Sequence, residues 1–311
     1  MEKAALDCFR YQAARCYVYK RYIELLDVNP DEVTTIDGIP FLPIEFFKTS
    51  KIYSAESPPE AVFTSSGTGG EVSRHYVADL EIYRRSYIEG FRLRFGCVSQ
   101  YAVLALLPSY LEREGSSLIE MVSGFIALSQ CELSGFYLNN HEELYHALLR
   151  LKEIGQKTLL IGVSFALLDF AERYTLDFPE LVVMETGGMK GRRREITRDE
   201  LHDEIRRTFG LAQVHSEYGM TELLSQAYSV GGRFRTPPWM RISMRDPHDP
   251  FRQVKHGATG GINVIDLANI FSCSFIETQD LGIMHADGSF EVTGRFDQSE
   301  LRGCNLMMLD C

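Results

Sequence analysis

The stretch Ser65-Ser66-Gly67-Thr68-Gly69-Gly70, followed much later in the chain by Tyr218-Gly219-Met220-Thr221-Glu222, decides how this sequence is read. Glycine lets a main chain approach an anion closely, and successive backbone N–H groups with neighbouring hydroxyls suit a polyphosphate. Alone, such a run reads equally well as a solvated turn. The second segment adds a hydroxyl on Thr221 and a carboxylate on Glu222, an oxygen ligand of the kind that holds hydrated Mg²⁺ against phosphates. Together the two predict a nucleotide bound with its metal and used as an electrophile.

A chain of 311 residues is long enough for one large domain or two smaller ones with a sizeable core. The formal net charge of −11 argues against a nucleic-acid binder, which needs a basic footprint, so any nucleotide site must be locally basic. No uncharged apolar stretch approaches the roughly 20 residues that cross a bilayer, and the longest, 121–131, suits a buried helix. Charges at Glu2, Lys3, Asp7 and Arg10 argue against a secretory signal. Seven cysteines without a CxxC pair indicate neither a disulfide framework nor a zinc ribbon, and the expected setting is a reducing cytoplasm. None of the eight histidines shows metal-ligand spacing.

Residues 3–26 are rich in helix formers, lack Gly and Pro, and predict one helix closed by Asn29-Pro30. Pro40, Pro43, Pro58 and Pro59 mark an irregular connector into the glycine loop. Asp79 is placed to cap a helix with Tyr83, Tyr87 and Phe91 on one face. Apolar runs at 101–107, 158–161, 181–184 and 212–215 read as buried strands alternating with helices. Thr197-x-x-Glu200 is a capping-box pattern before Leu201, Ile205 and Phe209, with Gly210 at the helix end. The alternation predicts an α/β body with mostly parallel sheets and ligands at the carboxyl ends of its strands. Past Pro237-Pro238 the pieces 257–266, 274–278 and 289–292 predict a small antiparallel β subdomain. The expected division is therefore 1–236, an α/β body with helical N-terminal segment and phosphate loop, and 237–311, a β-rich subdomain with a hinge-like tail.

In their order these features resemble the adenylate-forming superfamily, and within it the LuxE-like acyl-protein synthetases. Residues 65–70 match the phosphate loop, Gly187-Gly188 the loop that packs on adenine, and 218–222 the YGxTE motif. Thr278-Gln279-Asp280 resembles the motif whose aspartate binds ribose, and Gly294-Arg295-Phe296-Asp297 with Arg302-Gly303 resembles the hinge. Two departures stand out. The usual Pro-Lys after the phosphate loop is replaced by Glu71-Val72-Ser73-Arg74, and the sequence ends at Cys311 without the C-terminal domain whose lysine promotes adenylation.

The resemblance implies ATP and Mg²⁺, with Thr221 and Glu222 acting at the phosphates and Glu222 on the metal. It implies nucleotide contacts from Ser65, Ser66, Gly67, Thr68, Gly69, Gly70, Gly187, Gly188, Tyr218, Gly219, Asp280 and Arg295. An acyl adenylate of a carboxylic acid, with fatty acids the expected class, would pass to a protein or carrier thiol. Cys304 matches the acyl-accepting cysteine, and a reductase partner is implied by analogy. Each residue keeps a plainer reading. Glu222 suits a surface helix start, Asp280 a turn, Tyr218 a core ring, and Cys304 an inert thiol. A rival reaction class rests on Gly162-Val163-Ser164-Phe165-Ala166, which follows a strand as a nucleophile elbow does, with Asp280 and His285 in triad order. The last alternative is a nucleotide-binding scaffold without catalysis.

Overall fold

Residues 3–26 fold as two helices, α1 (Glu2–Arg15) and α2 (Tyr17–Leu25), where one was expected. The break is Cys16, fully buried at φ −85° and ψ 104°. This extended residue lets Tyr19 and Ile23 share a core with Phe9 and Ala13. Tyr19 stacks on Phe275 with centroids 6.2 Å apart, and Phe9 meets both rings edge-on. Gln12 locks the arrangement: Nε2 donates to the Asn269 and Ile270 carbonyls, and Oε1 accepts from the Ser274 N–H. Packing has overridden local helix propensity. This computed structural model describes residues 1–65, 72–108, 115–138, 140–187 and 197–296.

The connector holds the short strand β1 (Leu42–Pro43) and helix α3 (Phe46–Thr49). Strands β2 (Ala61–Thr64) and β3 (Arg74–Val77) pair antiparallel on either side of the glycine loop. Asp79 caps α4 (Leu80–Phe95) as predicted, its Oδ1 accepting from the Glu81 N–H at 2.9 Å. Tyr83, Tyr87 and Phe91 are all buried on one face of α4.

An alternating run follows: β4 (Ala102–Leu106), α5 (Ser117–Leu128), β5 (Gly135–Phe136), α6 (His141–Glu153), β6 (Thr158–Val163), α7 (Ser164–Ala171), β7 (Val182–Thr186), α8 (Arg198–Phe209) and β8 (His215–Tyr218). Its strands pair in parallel in the order β5-β4-β6-β7-β8. β4 and β6 are buried along their whole length, which accounts for their unbroken apolar sequences. The capping box at Thr197 forms both halves, and Gly210 takes the left-handed conformation at φ 68°.

The expected strand at 212–215 is corrected to His215–Tyr218. Ala212 and Gln213 are exposed, and pairing with β7 begins at Met184↔His215. The His-Ser-Glu-Tyr strand tolerates burial because its polar groups are bonded. His215 Nδ1 meets the Ser229 carbonyl, and the Ser216 N–H donates to Ser229 Oγ.

The antiparallel strands β9 (Ala227–Val230), β10 (Arg233–Arg235), β11 (Met240–Arg245), β12 (Thr259–Asp266), β13 (Phe275–Met284) and β14 (Phe290–Arg295) continue the same sheet. Beyond β8 the order runs β9-β10-β14-β13-β12-β11, with β1 parallel to β13. β10, before position 236, thus pairs with β14 beyond it. Two cores result. One surrounds the parallel strands, and the other joins α1 and α2 to the antiparallel strands. Among the described residues no helix is long and apolar enough to cross a membrane.

Candidate functional site

A cavity opens at the carboxyl ends of β7 and β8, where parallel strands gather ligands. Thr64 leads into it from β2, Thr186 and Gly187 from β7, and Gly219, Met220 and Thr221 from the turn after β8. Tyr83 of α4 and Ser117, Leu118 and Met121 of α5 complete its wall. Of the three aromatic residues on one face of α4, Tyr83 lines this cavity, while Tyr87 and Phe91 pack in the core.

The glycine loop is tied at its stem. The Ser65 N–H donates to the Ser73 carbonyl at 3.1 Å, and the Ser73 N–H donates to Ser65 Oγ at 3.0 Å. Ser66, Gly67, Thr68, Gly69 and Gly70 lie outside the described residues, as do Gly188, Asp297, Arg302, Gly303 and Cys304. Arg74 is exposed at the start of β3. Gly115 anchors the far side of Thr64: its carbonyl accepts from the Thr64 N–H at 2.8 Å. At φ +77° a Cβ there would come within 2.8 Å of the Val62 carbonyl oxygen, so only glycine fits without a shift.

Thr221 faces the cavity, and Glu222, the next residue, is buried with its carboxyl on Ser73 at the loop stem. Burial raises its pKa, opposed by the Ser73 hydrogen bond and by the charges of Arg295 and Lys48. Two contacts position this turn. Asn269 Nδ2 donates to the Glu222 carbonyl at 2.7 Å. His75 Nδ1 lies 2.8 Å from the Thr221 carbonyl, which can only accept, so that nitrogen carries the proton. Burial pushes His75 down to about 4, keeping the ring neutral.

Tyr218, Asp280 and Arg295, drawn from three separate motifs, form one chain of contacts. The Tyr218 hydroxyl donates to Asp280 Oδ2 at 2.9 Å, and Arg295 Nε donates to Asp280 Oδ1 at 2.9 Å. The Tyr218 ring packs against Phe234 and Phe290. Asp280 and Arg295 are cross-strand partners in the β13–β14 pair.

Glu217 and Gln226 belong to no expected set of site residues, yet both are here. Glu217 lines the cavity, with Oε2 accepting from Thr186 Oγ1 at 2.6 Å. Burial, with a contribution from Glu185, pushes its carboxyl up to about 7 against that hydrogen bond. Gln226 also lines the cavity and is 5% exposed. Nothing in the sequence marked them: Glu217 lies past the strand expected at 212–215 and just ahead of the YGxTE motif.

The nucleophile-elbow reading is corrected. Ser164 opens α7 directly after β6, but its Oγ lies 2.6 Å from both Glu185 Oε1 and the Gly187 carbonyl. Asp280 is engaged by Tyr218 and Arg295, and His285 Nε2 sits 2.8 Å from Glu291. The three residues serve separate local networks and make no triad. A carboxylate against the serine, with no imidazole between them, offers no base relay.

No protein-family model matches the chain. It is 24% identical over 335 residues to a long-chain-fatty-acid–luciferin-component ligase of Aliivibrio fischeri, across 99% of this chain and 87% of that protein. The ligase of the same description from Vibrio harveyi is 23% identical over 321 residues, covering 93% and 82%. Among solved structures, 2-hydroxyisobutyryl-CoA ligase with its acyl adenylate has a TM-score of 0.71 at 13% identity, over 95% of this chain and 67% of that one. ATP-bound MatB from Rhodopseudomonas palustris has a TM-score of 0.57 at 17% identity, over 76% and 48%. Over almost its full length this chain is similar to the luciferin-component ligases, and its fold is that of the adenylate-forming ligases.

Proposed function

We propose that this enzyme activates a carboxylic acid with ATP and then transfers the acyl group to a thiol. In the first step a carboxylate oxygen attacks the α-phosphorus, forming the acyl adenylate as the bond to pyrophosphate breaks. In the second a thiolate attacks the acyl carbonyl and AMP leaves, taking the electron pair of the anhydride bond. The observation that carries this reading is the convergence of Thr64, Thr186, Gly187, Gly219 and Thr221 on one cavity beside the loop stem.

The Thr221 hydroxyl, on the cavity wall, would donate to phosphate oxygens as negative charge develops. Glu222 is a hard oxygen donor beside Ser73 at the loop stem, and one carboxylate with substrate phosphates is a sufficient protein share for Mg²⁺. When bound, that ion would neutralise phosphate charge, with Glu222 as its protein ligand. The Asp280 carboxylate, oriented by Tyr218 and Arg295, suits ribose hydroxyls. Cys304 is the proposed acyl-accepting thiol, and the final acceptor is a protein or carrier thiol. The relatives are named for long-chain fatty acids, which supports an acyl substrate and a reductase-type partner by analogy.

Intact-mass measurement after incubation with ATP, Mg²⁺ and a panel of acids tests both steps. The expected result is an acyl adduct in the parent that disappears in Cys304→Ser. An adduct persisting in that variant moves the nucleophile elsewhere. Absence of carboxylate-dependent pyrophosphate exchange across short, long and aromatic acids, despite measurable ATP binding, removes the adenylation reading.

A further inference from the structure

Resting on the adenylation reading of the cavity, we infer that its acyl end selects carboxylic acids bearing a hydrogen-bond donor, a hydroxyl or amino group, close to the carboxylate. Glu217 and Gln226 are the specificity-determining residues. Both line the cavity on either side of Gly219. A Cβ built on Gly219 would strike Glu217 Oε1 and come within 3.4 Å of Gln226 Cγ, so the two side chains converge on one spot. Thr221, at the phosphate end, is two positions further along the same turn.

Gln226 supplies the second observation. It is 5% exposed, and among the described residues its Oε1 has no hydrogen-bond partner. A buried carbonyl oxygen without a donor is costly, and in native proteins such a group calls for a partner. Glu217 spends Oε2 on Thr186, and its Oε1 faces the same place. A carboxyl held near 7 remains an acceptor at neutral pH in either protonation state. Thr64, Ser116, Ser117 and Thr186 extend the polar character of the wall, while Leu118 and Met121 give it an apolar stretch. An unsubstituted alkyl chain seated here would leave Gln226 Oε1 buried without a donor. A hydroxyl or ammonium group would satisfy it.

The test is pyrophosphate exchange into ATP with matched acids: butyrate against 3-hydroxybutyrate and 3-aminobutyrate, and octanoate against 3-hydroxyoctanoate. In the parent the substituted acids are expected to show kcat/KM at least about tenfold higher than their plain counterparts, the scale set by one unpaired buried polar group. Gln226→Leu and Glu217→Gln should each shrink that preference while the KM for ATP stays put, with circular dichroism reporting intact folding. Equal use of plain and substituted acids by the parent overturns the inference and leaves adenylation standing. So does a rise in the KM for ATP in both variants with acid preference retained, because the pair then serves the nucleotide. No exchange with any acid removes adenylation itself, and this inference with it.

Discussion

Glu217 links the chemistry of the site to the stability of the protein. Its carboxyl is raised from 4.5 to about 7 by burial and by Glu185. The folded state therefore holds the proton more tightly than the unfolded chain. Stability contributed at this position is full below the unfolded value, falls as pH rises from there to about 7, and is then level. The whole effect is about 3 kcal/mol, because each tenfold gain in proton affinity corresponds to roughly 1.4 kcal/mol. Glu217→Gln cannot ionise, so its melting temperature should gain on the parent's between pH 5 and pH 8. A constant difference across that range would show that the carboxyl titrates normally. Tyr218→Phe keeps the ring packed on Phe234 and Phe290 but removes the donor to Asp280. The expected outcome in exchange kinetics is a KM for ATP raised by up to about tenfold with kcat little changed, the loss of one charge-assisted hydrogen bond. A fall in kcat alone would assign Tyr218 to the chemical step instead. Of these residues, Tyr218, Asp280 and Arg295 were legible because each sits in a motif. Glu217 and Gln226 were not, because a polar side chain beside a motif declares nothing until the cavity wall is built.

At the scale of elements, local signals were read well wherever the chain satisfies its own backbone. Asp79 and Thr197 cap their helices as their types dictate, and Gly210 ends α8 in a conformation costly for other residues. Thr197→Ala should lower unfolding stability by about 1 kcal/mol in denaturant titration, while Thr197→Ser should cost much less. Equal losses in the two variants would mean that the box contributes nothing. The break at Cys16 and the start of β8 at His215 escaped the sequence for a shared reason. Neither is marked by Gly or Pro, and both are imposed by partners distant in sequence: Phe275 and Ser274 for the helices, Met184 and Ser229 for the strand.

For the whole molecule, the cavity draws on β2, α4, α5, β7 and the turn after β8, so a ligand spanning it should stabilise the fold cooperatively. Titrating Mg²⁺ and ATP should raise the melting temperature, the added unfolding free energy approaching about 2.7 kcal/mol at a hundredfold excess over Kd. The gain should shrink when a chelator removes the metal, and again in Glu222→Gln. An equal gain in parent and variant with the metal present would detach Glu222 from the ion. The same sheet carries both regions: β8 is the last parallel strand and β9 begins the antiparallel ones. Tyr218 at the end of β8 reaches Asp280 on β13, so the last parallel strand and the antiparallel strands are mechanically joined.

From its amino acids alone this protein declared an alternating α/β body, a loop fit for phosphates, and motifs in the order of adenylate-forming enzymes, because propensity, capping and glycine freedom act over a few residues. Only the tertiary structure decided that the N-terminal helices share a core with the last strands, that Ser164 is a structural hydroxyl, and that Glu217 and Gln226 converge inside the cavity. Those outcomes depend on contacts between distant positions, where burial and hydrogen bonding, not local preference, set the energy.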